Sequence, residues 1–485
     1  MQRYSNYENL YLCPIEKTDI NMIQLPPGFA RSMQELLPVS EYETFLDALQ
    51  QDCAVSFRPN LCKGFSVSDP ALPSVPWYSQ GYYLETRPSF TFDPLFHAGA
   101  YYVQEASSMF IAQALRQIPA PHTVLDLCAA PGGKSTLLRT LLPDDALLVS
   151  NDPIRQRAQI LAENMIKWGH EGSIVTNNYP QDFSSLGAVF DVIVTDVPCS
   201  GEGMFRKNNP ALELWSEDNV HMCAARQREI LTSVWPALKE GGFLIYSTCT
   251  YNPDEDERNV LFISRELGAD IIDIPTLPSW QITGNLLPGE SFPAYHFFPH
   301  RTRGEGFFLA LLRKNVPASP AHIKAKGNTS CPALAKEKDW IAMPQMVCKE
   351  TGDTGYALRK EDLPLTEWLG KHLDIVTMGV PLYIRKGVKH IPHHGLSMSR
   401  LLHTGAFPQA ELTWSQAIDY LSCQTLTIDA PKGYVLVTYN YIPLGFANNL
   451  GSRANNMYPQ SWRIRSSHPA KEDIQLVRRM PYVRE

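Results

Sequence analysis

Between residues 123 and 250 the chain alternates short apolar runs with longer amphipathic ones. The runs at 124–127, 146–151, 173–176, 189–195 and 243–247 read as strands. The segments 135–142, 155–168 and most of 212–238 read as helices, as does 254–266, and a late strand is expected at 307–313. Strands separated by helices predict an α/β domain with a parallel, doubly wound sheet.

The flanks follow other patterns. Residues 1–24 are polar, with several Tyr and Asn and no clear periodicity, and read as a tail. Phe29, Met33, Leu36 and Leu37 fall on one helical face, 43–49 gives a second short helix, 55–60 a strand, and 70–84 strand and turns. The expected division is therefore a small α+β module at 25–100 and the α/β domain at 101–314, with a helix at 107–116 leading in. Residues 315–344 read as a linker: Val316-Pro317-Ala318-Ser319-Pro320, then Lys324, Lys326, Lys336 and Lys338 among Gly and Ser. A second module is expected at 345–470. Its short β-like runs at 381–385, 426–428, 433–439, 442–446 and 462–465, broken by Gly and Pro, suggest a small β barrel with one or two helices. Residues 471–485 read as a second tail, and no internal repeat is found.

Composition adds limits. At 485 residues the chain is too long for one ordinary domain. No apolar run approaches the roughly 20 residues needed to span a bilayer. The first residues lack a signal pattern, so a cytoplasmic protein without membrane contact is expected. The ten cysteines are scattered, which argues against a disulfide framework, and none has zinc spacing, so no metal is expected. The net charge of −7 does not advertise nucleic-acid binding, although a basic groove can sit on an acidic protein. Residues 374–468 hold eight Lys/Arg against four Asp/Glu, a local positive excess.

Three features carry candidate chemistry. The first is the turn Cys128-Ala129-Ala130-Pro131-Gly132-Gly133-Lys134 between a strand and a helix. Such a turn offers backbone N–H groups at a helix N-terminus, and glycine permits close approach of a ligand. A plain structural turn is the alternative. GxGxxG and GxxxxGK[ST] are both absent, which disfavours dinucleotide and P-loop sites. The second is Asp152, just after the next strand, where an acidic residue takes the hydroxyls of a ribose. Asp152-Pro153 also suits a helix cap. Together they favour a nucleoside cofactor without phosphates, and S-adenosylmethionine fits. The third is a pair of strand-end cysteines, Cys199 after 190–195 and Cys249 after 242–246, flanked by Asp196, Pro198, Ser247 and Thr248. A lone cysteine is usually inert packing, but partly exposed thiols in polar turns at a cofactor edge are placed to react.

Cys-Ala-Ala-Pro-Gly-Gly-Lys, Thr-Asp-Val-Pro-Cys-Ser-Gly-Glu-Gly and Tyr-Ser-Thr-Cys-Thr-Tyr, in this order, resemble the RNA cytosine-C5 methyltransferases of the NOL1/NOP2/Sun family. Arg58-Pro59-Asn60, 102–108, Met204-Phe205-Arg206-Lys207 and 303–308 resemble its RsmF branch, which methylates small-subunit (16S) rRNA; 441–446 and 455–459 resemble that branch's PUA-like RNA-binding end. The resemblance covers most of 25–468. It implies a Rossmann-like S-adenosylmethionine methyltransferase core between a small α+β RNA-binding module and a PUA-like β-rich RNA-binding domain. It also implies action on rRNA of the small ribosomal subunit; a monomer is expected. Cys249 is the implied nucleophile at cytosine C6. Cys199 is implied to assist C5-proton removal and release of the enzyme. Asp196 is the implied partner of the cytosine N3/N4 edge and a further cofactor contact, and Lys134 would lie near the transfer site. The target base must be flipped or unpaired.

Where the family often has Asp near the adenine, this chain has Asn177-Asn178-Tyr179-Pro180, with Asp182 further on, and Asn178 can supply the donor and acceptor. Arg206 and Lys207 are candidates for RNA phosphates, and Arg453, Arg463 and Arg465 with Trp462 and Tyr458 for an RNA face. Ordinary solvated charge is the alternative for each. Three other functions remain at this point: a tRNA substrate, a non-catalytic ribosome assembly factor, or a methyltransferase for small molecules or proteins. The two cysteines with Asp196 speak against the second, and the RNA-binding flanks against the third.

Overall fold

The computed structural model describes residues 23–207, 209–323, 337–343, 345–466 and 474–480. Residues 1–22 of the expected first tail, Lys324, Lys326 and Lys336 of the expected linker, and 471–473 and 481–485 of the expected second tail lie outside them.

The α/β domain is built from β1 (Thr123–Asp126), α1 (Gly133–Leu141), β2 (Leu147–Asn151), α2 (Arg155–Trp168), β3 (Ser173–Thr176), β4 (Phe190–Asp196), α3 (Glu217–Val234), β5 (Leu238–Thr248), α4 (Glu257–Arg265), β6 (Ala269–Ile272), β7 (Tyr295–Phe297) and β8 (Phe307–Lys314). A distant segment, β9 (Ile375–Met378), joins the same sheet. The strand order is β6-β8-β5-β4-β1-β2-β3-β9, with β7 paired to β8. Strands β5, β4, β1, β2 and β3 run parallel, and β6 to β9 are antiparallel additions.

Alternate side chains of each parallel strand enter different cores, as a period of two requires. Val124, Val192, Val194 and Ile245 pack with Leu137, Leu138, Leu161 and Met165 of α1 and α2. Leu125, Ile193 and Leu244 pack with Leu231 and Val234 of α3 and Val260 and Ile263 of α4. Covering both faces of a parallel sheet in this way is what makes its strands read as continuous apolar runs. Each fully buried Val, Leu or Ile contributes about 1.5–3 kcal/mol. The chain order reverses between β1 and β4, so a crevice lies beyond their carboxyl ends.

The expected helix at 212–238 is two helices, Asn209–Leu214 and α3. The break is at Ser216, whose side chain accepts from the Asn219 N–H and caps α3. The short strands β6 and β7 have no counterpart in the sequence expectation.

The flanks are less separate than their composition suggests. At the N-terminus, helices Pro27–Leu36 and Val39–Gln50 bury Phe29, Met33, Phe45 and Leu49 against Phe205, Trp215, Tyr251 and Phe298 of the α/β domain. At the C-terminus the single barrel expected at 345–470 is instead two four-stranded sheets, one from 346 to 392 and one from 409 to 456; β9 falls within the first range in sequence but is paired to β3. Residues 426–428 give only an isolated bridge from Leu426 to Ala454. The expected strand at 462–465 is absent: a short turn, Gln460–Trp462, leads into irregular chain. The expected second tail contains strand Val477–Arg479, which pairs with Phe65–Val67. Phe57, Phe65 and Val477 share a core with Leu412, Tyr420, Val435 and Val437, and Trp414 Nε1 donates to Phe92 O at 3.0 Å. Apolar faces that neither flank can bury alone are thus buried against each other.

Candidate active site

The sequence-predicted residues gather along the carboxyl ends of β1 to β5. After β1 the turn holds Gly132 at φ +113°, a backbone angle that a side chain would strain, and α1 starts at the next residue. Helix α2 grips the outer side of this turn: Asn164 Nδ2 donates to Pro131 O at 2.8 Å and Arg157 Nη2 to Ala130 O at 3.2 Å. Arg58 grips it from the N-terminal module, donating to Gly133 O at 2.9 Å with its guanidinium 4.7 Å over the Trp168 ring. Cys128, in the turn, keeps its proton because burial pushes its thiol up. Asn151 ties three strand ends together, donating to Leu127 O and Asn178 O and accepting from the Asn178 N–H, each at 3.0 Å.

Asp152 is buried at 1% exposure. Its Oδ1 accepts from the Ile154 N–H at 2.9 Å, so it does cap the loop before α2. Its Oδ2 lies 3.2 Å from Arg157 Nη2 and lacks a well-placed hydrogen-bond donor. Burial raises its pKa, with Arg157 opposing. A buried carboxylate oxygen short of donors beside a glycine turn suits a ligand that brings hydroxyl groups. The residues present therefore fit the adenosine-type cofactor expected here.

The reactive pair stands at the ends of β4 and β5. Cys199 Sγ and Cys249 Sγ are 3.1 Å apart, and the Cys249 N–H donates to Cys199 Sγ at 3.4 Å. Both thiols are free. The contact with Cys249, then burial, hold the Cys199 pKa well above its ordinary value. Beside them Lys134 Nζ donates to Asp196 Oδ2 at 2.7 Å, and Ser247 Oγ donates to Asp196 Oδ1 at 3.0 Å. Burial lowers the Lys134 pKa, but the Asp196 charge outweighs it and the net shift is upward. With a donor on each oxygen, the Asp196 carboxyl is aimed from two sides.

A buried polar floor, not foreseen in the sequence, underlies both cysteine loops. Glu202 accepts from Trp215 Nε1, the Thr250 hydroxyl and the Tyr251 N–H. Thr248 donates to Asp256, and Ser200 N–H and Gln227 donate to Glu255. Burial, then the Glu202 charge, pushes the Glu255 carboxyl up to about 8. The one signal in the sequence was the acidic run 254–257 at a helix start, which reads equally well as a solvated first turn.

Two expectations need correction. Arg206 is not free for RNA: its side chain is 6% exposed, pairs with Glu305 Oε1 at 2.9 Å and donates to Gly304 O and Ala48 O. Asn178 does not offer a free amide, because its Oδ1 accepts from the Asp374 N–H at 3.0 Å and its Nδ2 donates to Asp182. It fastens β3 to the strand that joins from the C-terminal region. Lys207 keeps 28% exposure 3.8 Å from Glu305, and Arg453 and Arg463 are exposed, Arg463 donating to Gln460.

Comparison with known proteins accounts for most of the chain. Residues 113–313 match the family model described as 16S rRNA methyltransferase RsmB/F, 25–106 that of the N-terminal domain of 16S rRNA methyltransferase RsmF, and 407–464 that of the methyltransferase RsmF PUA domain. The chain is 31% identical over 478 residues to the ribosomal RNA small subunit methyltransferase F of Escherichia fergusonii, covering 90% of this chain and 96% of that protein. The protein of the same name from Escherichia coli O139:H28 matches to the same extent. Among solved structures, NSun6 from Pyrococcus horikoshii with SFG aligns at 20% identity and a TM-score of 0.50, over 61% of this chain and all of that one. This last likeness is one of fold.

Proposed function

The chain belongs to the 16S rRNA methyltransferase RsmB/F family, and on that premise we propose that it methylates C5 of a cytosine in small-subunit rRNA through a covalent bond from Cys249. It is an S-adenosylmethionine-dependent methyltransferase. The observation that carries the finer reading is the 3.1 Å separation of the two strand-end sulfurs beside the Lys134–Asp196 pair.

Cytosine C5 is a poor nucleophile. Addition of a thiolate at C6 breaks the C5–C6 double bond and places electron density on C5. Cys249, once its proton has passed to solvent, is the sulfur that adds. Cys199 holds its proton and donates toward Cys249, which favours a lone pair on the attacking sulfur. Asp196, held by Lys134 and Ser247, accepts from the cytosine N4–H and fixes the base. S-adenosylmethionine, held by 128–134 and Asp152, supplies an electrophilic methyl group when bound. After methylation C5 carries one substituent too many. Cys199, having given its own proton to solvent, takes the C5 proton as thiolate; the C5–H electron pair re-forms the C5–C6 double bond, and the C6–sulfur bond breaks with its pair leaving on Cys249, which restores the aromatic ring and frees Cys249 as thiolate. The base must leave its stack to reach this edge.

RNA positioning is assigned to the two flanks, with Lys207, Arg453 and Arg463 as the retained candidate phosphate contacts. The test is bisulfite sequencing of small-subunit rRNA from a deletion strain and its parent. The proposal expects one cytosine to lose protection in the deletion strain. An unchanged 16S rRNA pattern contradicts it, and loss of protection in a tRNA would move the substrate.

A further inference from the structure

Glu255 is fully buried, and in the described structure its carboxyl group accepts from the Ser200 N–H and from Gln227. The Ser200 N–H reaches Oε2 at 3.0 Å and Gln227 Nε2 reaches the same oxygen at 2.8 Å. Gln227 Nε2 also donates to Pro198 O at 3.0 Å. The residues on either side of Cys199 are therefore held by one pair, directly by Glu255 and through Gln227. The pair is itself fixed to β5: Tyr246 OH donates to the Glu255 carbonyl at 2.5 Å and lies 3.1 Å from Gln227 Oε1. Tyr246 lies three residues before Cys249 on that strand. The clamp thus sets the Cys199 loop against the Cys249 strand, where the two sulfurs meet.

We propose that Glu255, acting through Gln227 and the Ser200 N–H, is the positioning residue that holds Cys199 for the release half of the reaction. The inference rests on the roles proposed above for Cys199 and Cys249. The chemistry of the clamp is selective. Leucine at 255 keeps most of the volume but offers no acceptor to the Ser200 N–H or to the Gln227 amide. Two donors are then left unpaired in a buried site, and either the Cys199 loop shifts or Gln227 lets go of Pro198. Cys249 has holds besides the clamp, since Thr248 donates to Asp256 and Thr250 and the Tyr251 N–H donate to Glu202, so the attacking sulfur is the less disturbed of the two.

A loss confined to Cys199 should slow release more than addition. In the full-length enzyme with substrate RNA and S-adenosylmethionine, Glu255→Leu should accumulate a covalent protein–RNA species on denaturing gels. Its level should be at least ten-fold above that of the unmodified enzyme and approach that of Cys199→Ala. Cofactor affinity by calorimetry should stay within two-fold. Glu255→Gln, which keeps an acceptor for both donors, should stay near the unmodified enzyme. Gln227→Ala breaks the same clamp from its other side and should show the same species as Glu255→Leu, so the test survives if Glu255→Leu does not fold. An adduct in Cys199→Ala with none in Glu255→Leu or Gln227→Ala overturns the inference alone. Absence of any adduct in Cys199→Ala overturns the underlying reading and this inference with it.

Discussion

Lys134 Nζ lies 2.7 Å from Asp196 Oδ2, and this ion pair links the first turn of α1 to the last residue of β4 across the point where the strand order reverses. The other oxygen of Asp196 accepts from Ser247, so the carboxylate is aimed from two sides. If it then accepts the cytosine N4–H, Asp196→Asn should weaken that contact, a charged hydrogen bond of about 1.5–3 kcal/mol, and lower single-turnover methyl transfer roughly ten- to a hundred-fold. Equal rates would remove Asp196 from base recognition.

Asp152 caps a loop with one oxygen and keeps the other buried without a hydrogen-bond partner. Asp152→Ala should weaken S-adenosylmethionine binding in calorimetry by about 1–3 kcal/mol. Asp152→Asn, which can keep the Ile154 cap, should recover only part of that loss. Unchanged affinity in both variants would leave Asp152 as a cap.

Arg206 and Glu305 form a pair exposed by only 6% and 2%. Arg206→Ala leaves a buried charge uncompensated and should cost about 3–5 kcal/mol of stability in urea unfolding. The salt dependence of RNA binding, measured by filter retention, should not change. A shallower salt slope in this variant would restore Arg206 as a phosphate contact.

Asp126 is fully buried and accepts from Ser135 Oγ at 2.6 Å. Burial pushes its carboxyl up to about 7 from an ordinary 3.8. A carboxyl raised in the folded state stabilises most when protonated. Its contribution is complete below the unfolded value and is lost as pH rises through about 7, at about 1.4 kcal/mol per unit. The stability of Asp126→Asn relative to the unmodified protein should therefore improve between about pH 4 and 7. A difference independent of pH would show that Asp126 does not titrate in that window.

The α/β domain was legible because burial on both faces of a parallel sheet leaves apolar runs that need no knowledge of partners. The turn 128–134, Asp152 and the two cysteines were legible because each follows such a run directly. What escaped depended on distant pairing. Strand β9 is a short run whose partner lies some 200 residues earlier. Val477–Arg479 reads as a tail until Phe65–Val67 is beside it. Arg206 and Asn178 were misjudged for the same reason, since the groups that consume them, Glu305 and the Asp374 N–H, are far away in sequence. Glu255 sits in an acidic run that looks solvated, and only its contacts with Ser200 and Gln227 reveal a buried clamp.

The central claim is that Cys249 adds to the base and Cys199 serves its release. The most direct measurement is denaturing gel electrophoresis of each single cysteine variant after incubation with substrate RNA and S-adenosylmethionine. The account predicts that Cys199→Ala stays attached to its RNA, that Cys249→Ala shows neither adduct nor methyl transfer, and that the double variant loses the adduct. An adduct from Cys249→Ala and none from Cys199→Ala would reverse the two roles. No adduct from either, with activity retained, would contradict the covalent mechanism.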